Sequence, residues 1–202
     1  LFCLIIALPG IFFLIKNPIL FTGLQANHLD VTNFSSAVLI ISSMVFLYTV
    51  PIFIQYFLNN FNKDNFVKVF NFKQIILVVF VFLLFNNFFY YNSSVGGGVI
   101  YKISNIIFST NLIFFICSFF GLFLILFYSK NSLSNWLLSL LLLISFSTGI
   151  FIFQKYLEPM FWILFFVFFD RRKIEESISK NGWLVILYFS TYYIGLNLYI
   201  KF

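Results

Sequence analysis

Charge is almost missing from this chain, and the little there is falls in short polar breaks between long apolar runs. Twelve basic and six acidic side chains are spread over 202 residues, whereas hydrophobic residues make up 62% and phenylalanine alone supplies 34. A soluble domain of this length needs a charged surface that such a composition does not furnish. Runs of about 18 or more apolar residues are long enough to cross, as helices, a hydrocarbon layer about 30 Å thick. Strands are a poor alternative, because the runs show no two-residue alternation and lipid leaves backbone groups no partner outside the segment. The expected fold class is all-α: a polytopic bundle of transmembrane helices forming a single domain over residues 1–202.

Seven apolar segments can be drawn: Leu1–Ile15, Ser36–Leu58, Gln74–Tyr91, Ile106–Tyr128, Trp136–Phe153, Pro159–Phe169 and Gly182–Ile200. The sixth is short for a span and is expected to thin the bilayer or to be covered by neighbours. The chain is apolar from Leu1 onward, with no basic region or small-residue cleavage site to mark a signal peptide. It is therefore expected to be the C-terminal part of a longer protein. Orientation follows from the basic residues. Lys63, Lys68, Lys73, Lys130, Arg171, Arg172, Lys173 and Lys180 fall in one set of breaks, against Lys16, Lys102, Lys155 and Lys201 in the alternate set. The first set is expected to face the cytoplasm, and the second the lumen or periplasm. Within the first, cytoplasmic set, Asp170–Glu176 is the densest charge cluster and reads as a solvated stop at the headgroups, or as a lipid-binding element.

Other classes have little support. The net charge of +6 lies at the ends of apolar runs, so nucleic acid is not an expected partner; the bilayer is. Cys3 and Cys117 sit in apolar runs as small hydrophobes, with no disulfide framework, metal cluster or cofactor signature around them. Asn86, Asn87, Asn111, Gln55 and Asn197 lie inside the runs and are expected to bond between helices.

The candidate chemistry gathers in the three breaks on the non-cytoplasmic side. Lys16–Asp30 holds the single histidine, His28, which can orient a phosphate or transfer a proton near neutral pH, and Asp30, which can accept from a sugar hydroxyl. An ordinary solvated loop with Asp30 opening the next helix accounts for the same residues. Asn92–Lys102 contains Gly96-Gly97-Gly98, whose amides can approach an anion beside Lys102, or which form only a flexible turn. Gln154–Pro159 carries Lys155 and Glu158 three residues apart, either a pair capping a helix or a substrate contact, with Pro159 suited to the first turn of that helix.

Asn17-Pro18-Ile19-Leu20-Phe21-Thr22-Gly23 followed by His28 is similar to the Asn-Gly-Gly-Ile-Val-x-Gly-Asp…His loop of the dolichyl-phosphate-glucose α-1,2-glucosyltransferases. Phe153-Gln154-Lys155-Tyr156-Leu157-Glu158 is similar to that family's Pro-Gln-Lys-Leu-Leu-Glu-Phe segment. Across about 30 residues the chain thus resembles the C-terminal half of a multi-spanning GT-C type polyprenyl-phosphate-sugar glycosyltransferase, the wider group to which that family belongs; elsewhere it agrees only in hydropathy. The resemblance implies inverting transfer of one sugar from a polyprenyl-phosphate donor to a glycan or lipid acceptor on the non-cytoplasmic face. The membrane would be that of the endoplasmic reticulum in a eukaryote or the inner membrane in a bacterium. The catalytic carboxylate of that group lies in the first external loop, outside these residues, so the catalytic residue here is unknown. Lys155 and His28 would contact phosphate, and Glu158 and Asp30 the sugar or its positioning, with Lys102 a further candidate for binding. A transporter or flippase for lipid-linked sugars, or a non-catalytic membrane subunit, would have the same hydropathy.

Overall fold

The computed structural model describes residues 31–59, 72–91, 96–129, 133–145, 152 and 154–201. These form helices α1 (Val31–Asn59), α2 (Phe72–Asn87), α3 (Gly98–Phe108), α4 (Leu112–Tyr128), α5 (Leu133–Ser145), α6 (Gln154–Ile163), α7 (Arg171–Asn181) and α8 (Trp183–Lys201), with α6 widening into a π-helical turn at Leu164–Phe168. No strand occurs among the described residues. Among the described residues one stretch, Phe34–Asn59, is long and apolar enough to cross a membrane; the other apolar helices described are shorter.

α1 is apolar on all sides, and a helix with no polar face must be enclosed. It packs against every other described helix, most extensively along α4. Val38, Leu39, Ile40, Ile41, Met44 and Val45 are almost wholly buried. The contact with α4 is very close. A Cβ on Gly121 would lie 1.8 Å from the Ser42 carbonyl oxygen, so no side chain fits there. One turn earlier on α4, the Ser118 hydroxyl donates to Leu39 O at 2.9 Å. The buried hydroxyls of Ser42, Ser43 and Thr49 instead donate to carbonyls of α1 itself, which leaves their polarity satisfied without a partner helix.

The expected interhelical amides do not appear. The buried side-chain oxygens of Asn86, Asn111 and Gln55 have no hydrogen-bond partner among the described residues, Asn87 is exposed, and the side chain of Asn197 lies outside them. A serine–glycine seam joins the helices, because it admits a closer backbone approach than an amide allows.

Contacts along the helices fix their directions. Ser118 meets Leu39, and Phe127 rings meet Phe53 and Tyr56, so α4 runs parallel to α1. The Ser36 hydroxyl donates to Tyr90 O at 2.7 Å, which places the end of α2 at the start of α1. At the opposite end, Asp170 N donates to Tyr128 O at 2.7 Å and caps α7 through Arg172 N. Asn59 donates there to Glu176 O at 3.0 Å. Lys173 donates to Phe127 O at 2.6 Å and lies 4.3 Å over the Phe127 ring. Burial holds its ammonium below the ordinary lysine range, with the Asp170 and Glu176 charges pulling it back up. The breaks after Asn59 and Tyr128 and the Asp170 cluster thus gather at one end of α1. The exposed Arg171–Glu175 pair adds only about 0.5 kcal/mol at most.

Two expected boundaries are corrected. The run Ile106–Tyr128 is not one helix: α3 ends in a left-handed Ser109, and the chain turns through Thr110 and Asn111 before α4. Ser104 holds this turn by donating to Thr110 O at 2.6 Å and accepting from Phe114 N at 3.3 Å. Hydropathy does not register a turn of three residues between two apolar helices. Second, the helix expected from Pro159 starts at Gln154, so Pro159 sits in its interior, where it removes one backbone bond; the widened turn follows at Leu164. The expected segment Trp136–Phe153 is helical over Leu133–Ser145, and Leu1–Ile15 lies outside the described residues.

The outer helices turn large apolar side chains outward. Phe72 is 73% exposed and Phe166 77%, and Phe80, Ile106, Leu141, Ile186 and Leu187 are exposed as well. Gly121→Val should destabilise the chain by about 3 kcal/mol or more, since the clash is with backbone that cannot step aside. Gly195→Ala on α8, where a Cβ meets nothing within 4 Å, should stabilise it by up to about 1 kcal/mol. Thermal unfolding of the purified protein in detergent distinguishes the two.

Candidate functional site

Gln154 and Glu158 lie one helical turn apart on α6 and therefore share a face. That face meets the middle of α1. The Tyr48 hydroxyl donates to Glu158 Oε1 at 2.6 Å and accepts from Gln154 Nε2 at 2.6 Å. The same Gln154 amide donates to the Tyr192 hydroxyl of α8. Its oxygen accepts from Val99 N, at the start of α3, at 3.3 Å. One glutamine thus ties four helices together, with three of its four hydrogen-bonding positions in use.

Val99 is brought there by the glycine turn. Gly96, Gly97 and Gly98 have φ of 83°, 80° and 76°, a left-handed run that only glycine sustains. Space excludes side chains too: a Cβ on Gly98 would lie 2.6 Å from Met44 Cε, and one on Gly96 would lie 2.8 Å from the Tyr91 hydroxyl oxygen. Gly97 N donates to Ile152 O at 3.0 Å, which joins the second and third breaks directly. From the Ser36–Tyr90 contact to Met44 is eight residues of α1, a descent of about 12 Å at helical rise. α3 therefore begins well inside the bundle and runs back out to Phe108.

Rings surround the cluster. Tyr48 lies 5.0 Å from Phe161, 6.4 Å from Phe189 and 6.4 Å from Tyr192, measured between centroids. These fix Tyr48 in position. Glu158 is half-buried. Such a site can accept hydrogen bonds from a hydroxyl-bearing group lying against an aromatic wall. Beside it on α8 runs a shallow apolar groove lined by Val185, Ile186, Phe189, Ser190, Tyr193 and Ile194.

The residues expected from the sequence fare differently. Glu158 is in the cluster, though on a helix in mid-bundle rather than in an external loop. Lys102 is exposed on α3, beyond the glycine turn, and takes no part in the hydrogen bonds of the cluster. Lys155 belongs to α6, but its side chain lies outside the described residues, as do His28 and Asp30 altogether. Glu158 accepts from Tyr48, and the expected pair of Lys155 with Glu158 falls outside the described residues through its lysine. Of the glycine amides expected to meet an anion, Gly97 N is committed to Ile152 O, and the neighbouring Val99 N to Gln154. Tyr48, Gln154 and Tyr192 were not singled out, since a tyrosine in an apolar run carries no sequence signal of what its hydroxyl meets. Among the described residues no three His, Cys, Asp or Glu side chains come together as a metal site would need.

No protein-family model, no curated protein and no solved structure matches the chain.

Tyr48→Phe should cost about 1–2 kcal/mol, because it leaves Gln154 and Glu158 each short of a partner. A double-mutant cycle of Tyr48→Phe with Glu158→Ala should show coupling of about 1 kcal/mol or more, whereas Tyr48→Phe with Asn59→Ala, at the far end of α1, should be additive. Denaturation midpoints of the four proteins in each cycle measure this.

Proposed function

We propose that this chain is an integral membrane protein, a polytopic helical bundle of the endoplasmic reticulum or a bacterial inner membrane. Its work is to transfer a sugar from a polyprenyl-phosphate donor to a glycan or lipid acceptor. The membrane reading is supported by the many large apolar side chains exposed on α2, α3, α5 and α8. It is also supported by the one long apolar helix at the centre.

The transferase reading rests on one observation above others. The segment whose sequence resembles the glucosyltransferases, Gln154–Glu158, carries a carboxylate into the bundle interior and fastens it to Tyr48 beside the glycine turn. An ionisable group at that depth is costly to keep, and such groups mark substrate or ion pathways. Glu158 would hold sugar hydroxyls; Lys155 and His28, with Lys102 in reserve, would provide the cation that a polyprenyl-phosphate leaving group needs as charge develops on it. Asp30 would be a second sugar contact.

A second reading has its own support. A half-helix such as α3, starting at mid-depth from a glycine turn, is a feature of secondary transporters. A flippase for lipid-linked sugars would use the same cluster. The complete protein, reconstituted in vesicles with a radiolabelled polyprenyl-phosphate sugar, separates the two. The transferase reading predicts a labelled acceptor, and a loss of rate of about tenfold or more in both Glu158→Ala and Lys155→Ala. Undiminished transfer in both variants would sink it. Movement of the labelled lipid between leaflets with no transfer would establish the flippase.

A further inference from the structure

Among the described residues, α8 is held to the bundle at one place. None of its described side chains is fully buried. Its described hydrogen bonds to other helices both reach the middle of α1 or the cluster there. Gln154 donates to Tyr192, and the Tyr188 hydroxyl donates to Leu47 O of α1 at 2.9 Å. Phe189, between these two tyrosines, stacks on Tyr48.

The carbonyl that Tyr188 meets is a particular one. In a helix Leu47 O would accept from the amide four residues on, and that residue is Pro51, which has no N–H. The proline ring also crowds that carbonyl and tilts it away from the helix. Thr49 marks the same turn: its hydroxyl donates to Val45 O at 2.7 Å, a bond that favours bending. In a bilayer a freed carbonyl has no water to turn to and must find a donor on a side chain or a neighbouring helix. Here the donor comes from α8.

We infer that α8 is a side gate over the Tyr48–Glu158 pair, latched by the hydrogen bond from Tyr188 to the carbonyl that Pro51 leaves free. Closed, the gate lays Phe189 and Tyr192 against Tyr48, the residue that donates to Glu158. Opening parts those rings and leaves Tyr188 and Leu47 O both unpaired in hydrocarbon, a cost that keeps the closed form dominant. Because no described side chain of α8 is fully buried and lipid replaces much of the contact it gives up, one hydrogen bond has a large share in the balance. An α1 without the proline would have no such latch, since residue 51 would supply the amide itself. The gate does not rest on the transferase reading: it would serve a flippase equally.

Spin labels at Ile54→Cys and Ile194→Cys, both exposed positions, report the distance between α1 and α8 in phosphatidylcholine nanodiscs, with Cys3 and Cys117 replaced by alanine. Tyr188→Phe, which keeps the ring and removes the donor, should raise the proportion of molecules at a longer distance about fivefold, the effect of one ordinary hydrogen bond. In a Pro51→Ala background the same change should alter the proportion less than twofold, because the new amide already serves Leu47 O. Pro51→Val supplies the same amide should Pro51→Ala fail to fold, and the first comparison needs no change at position 51. In the chain with its native cysteines, dicyclohexylcarbodiimide, a carboxyl reagent that partitions into bilayers, should modify Glu158 about fivefold faster in Tyr188→Phe. A distance distribution unmoved by Tyr188→Phe would overturn the inference. So would an equal shift with and without Pro51, which would make Tyr188 an ordinary contact. An α8 that moves away while the modification of Glu158 stays unchanged would also overturn it, since nothing would then be gated.

Discussion

The close passage of α1 over α4 is the contact on which the other packing depends. Gly121 lets the backbone of α4 touch that of α1 at Ser42, and Ser118 bonds across at Leu39. Without that approach α1 would stand off by a side chain's width, and the helices arranged on its remaining faces would lose their register. α1 has no polar stripe that solvent could cover, so its burial by all the other described helices follows from its composition. The outer helices then spend their apolar residues on both sides, inward on α1 and outward away from the protein. In a membrane the outward side meets lipid, which is why close packing of small residues, rather than hydrophobic collapse, holds such helices together.

Within that frame, the polar cluster is expensive and well connected. Gln154 joins α1, α3, α6 and α8 through a single side chain. A partly satisfied buried network costs more than an apolar core, and a satisfied one specifies a single arrangement. The cluster therefore serves the fold and presents Glu158 at once. The amide that begins α3 is held by the same glutamine that positions Tyr48.

Much of the architecture was legible from hydropathy. Helical class, the central run within Val31–Asn59 and the last helix follow from where charge is absent. The errors have physical causes. The turn at Ser109–Asn111 is too short to interrupt the hydropathy of the run around it, and the helix from Gln154 was hidden because Pro159 suits a first turn. Glu158, read as the end of an external loop, lies in a helix opposite the middle of α1. Its partner Tyr48 was invisible, since pairing across 110 positions leaves no mark in a single sequence. The interhelical amides expected at Asn86 and Asn111 failed for the opposite reason: polarity in a span shows that a partner is wanted, not that geometry supplies one.

The central claim is that α6 and α8 meet α1 at Tyr48 in the interior of a membrane-embedded bundle. A photoreactive benzoylphenylalanine in place of Phe189, activated in native membranes, tests it most directly. Phe189 packs on Tyr48, so the account predicts capture of the peptide around residues 44–52, together with the segment around Phe161. Capture of neither, with labelling confined to bulk lipid or to α2, would contradict it.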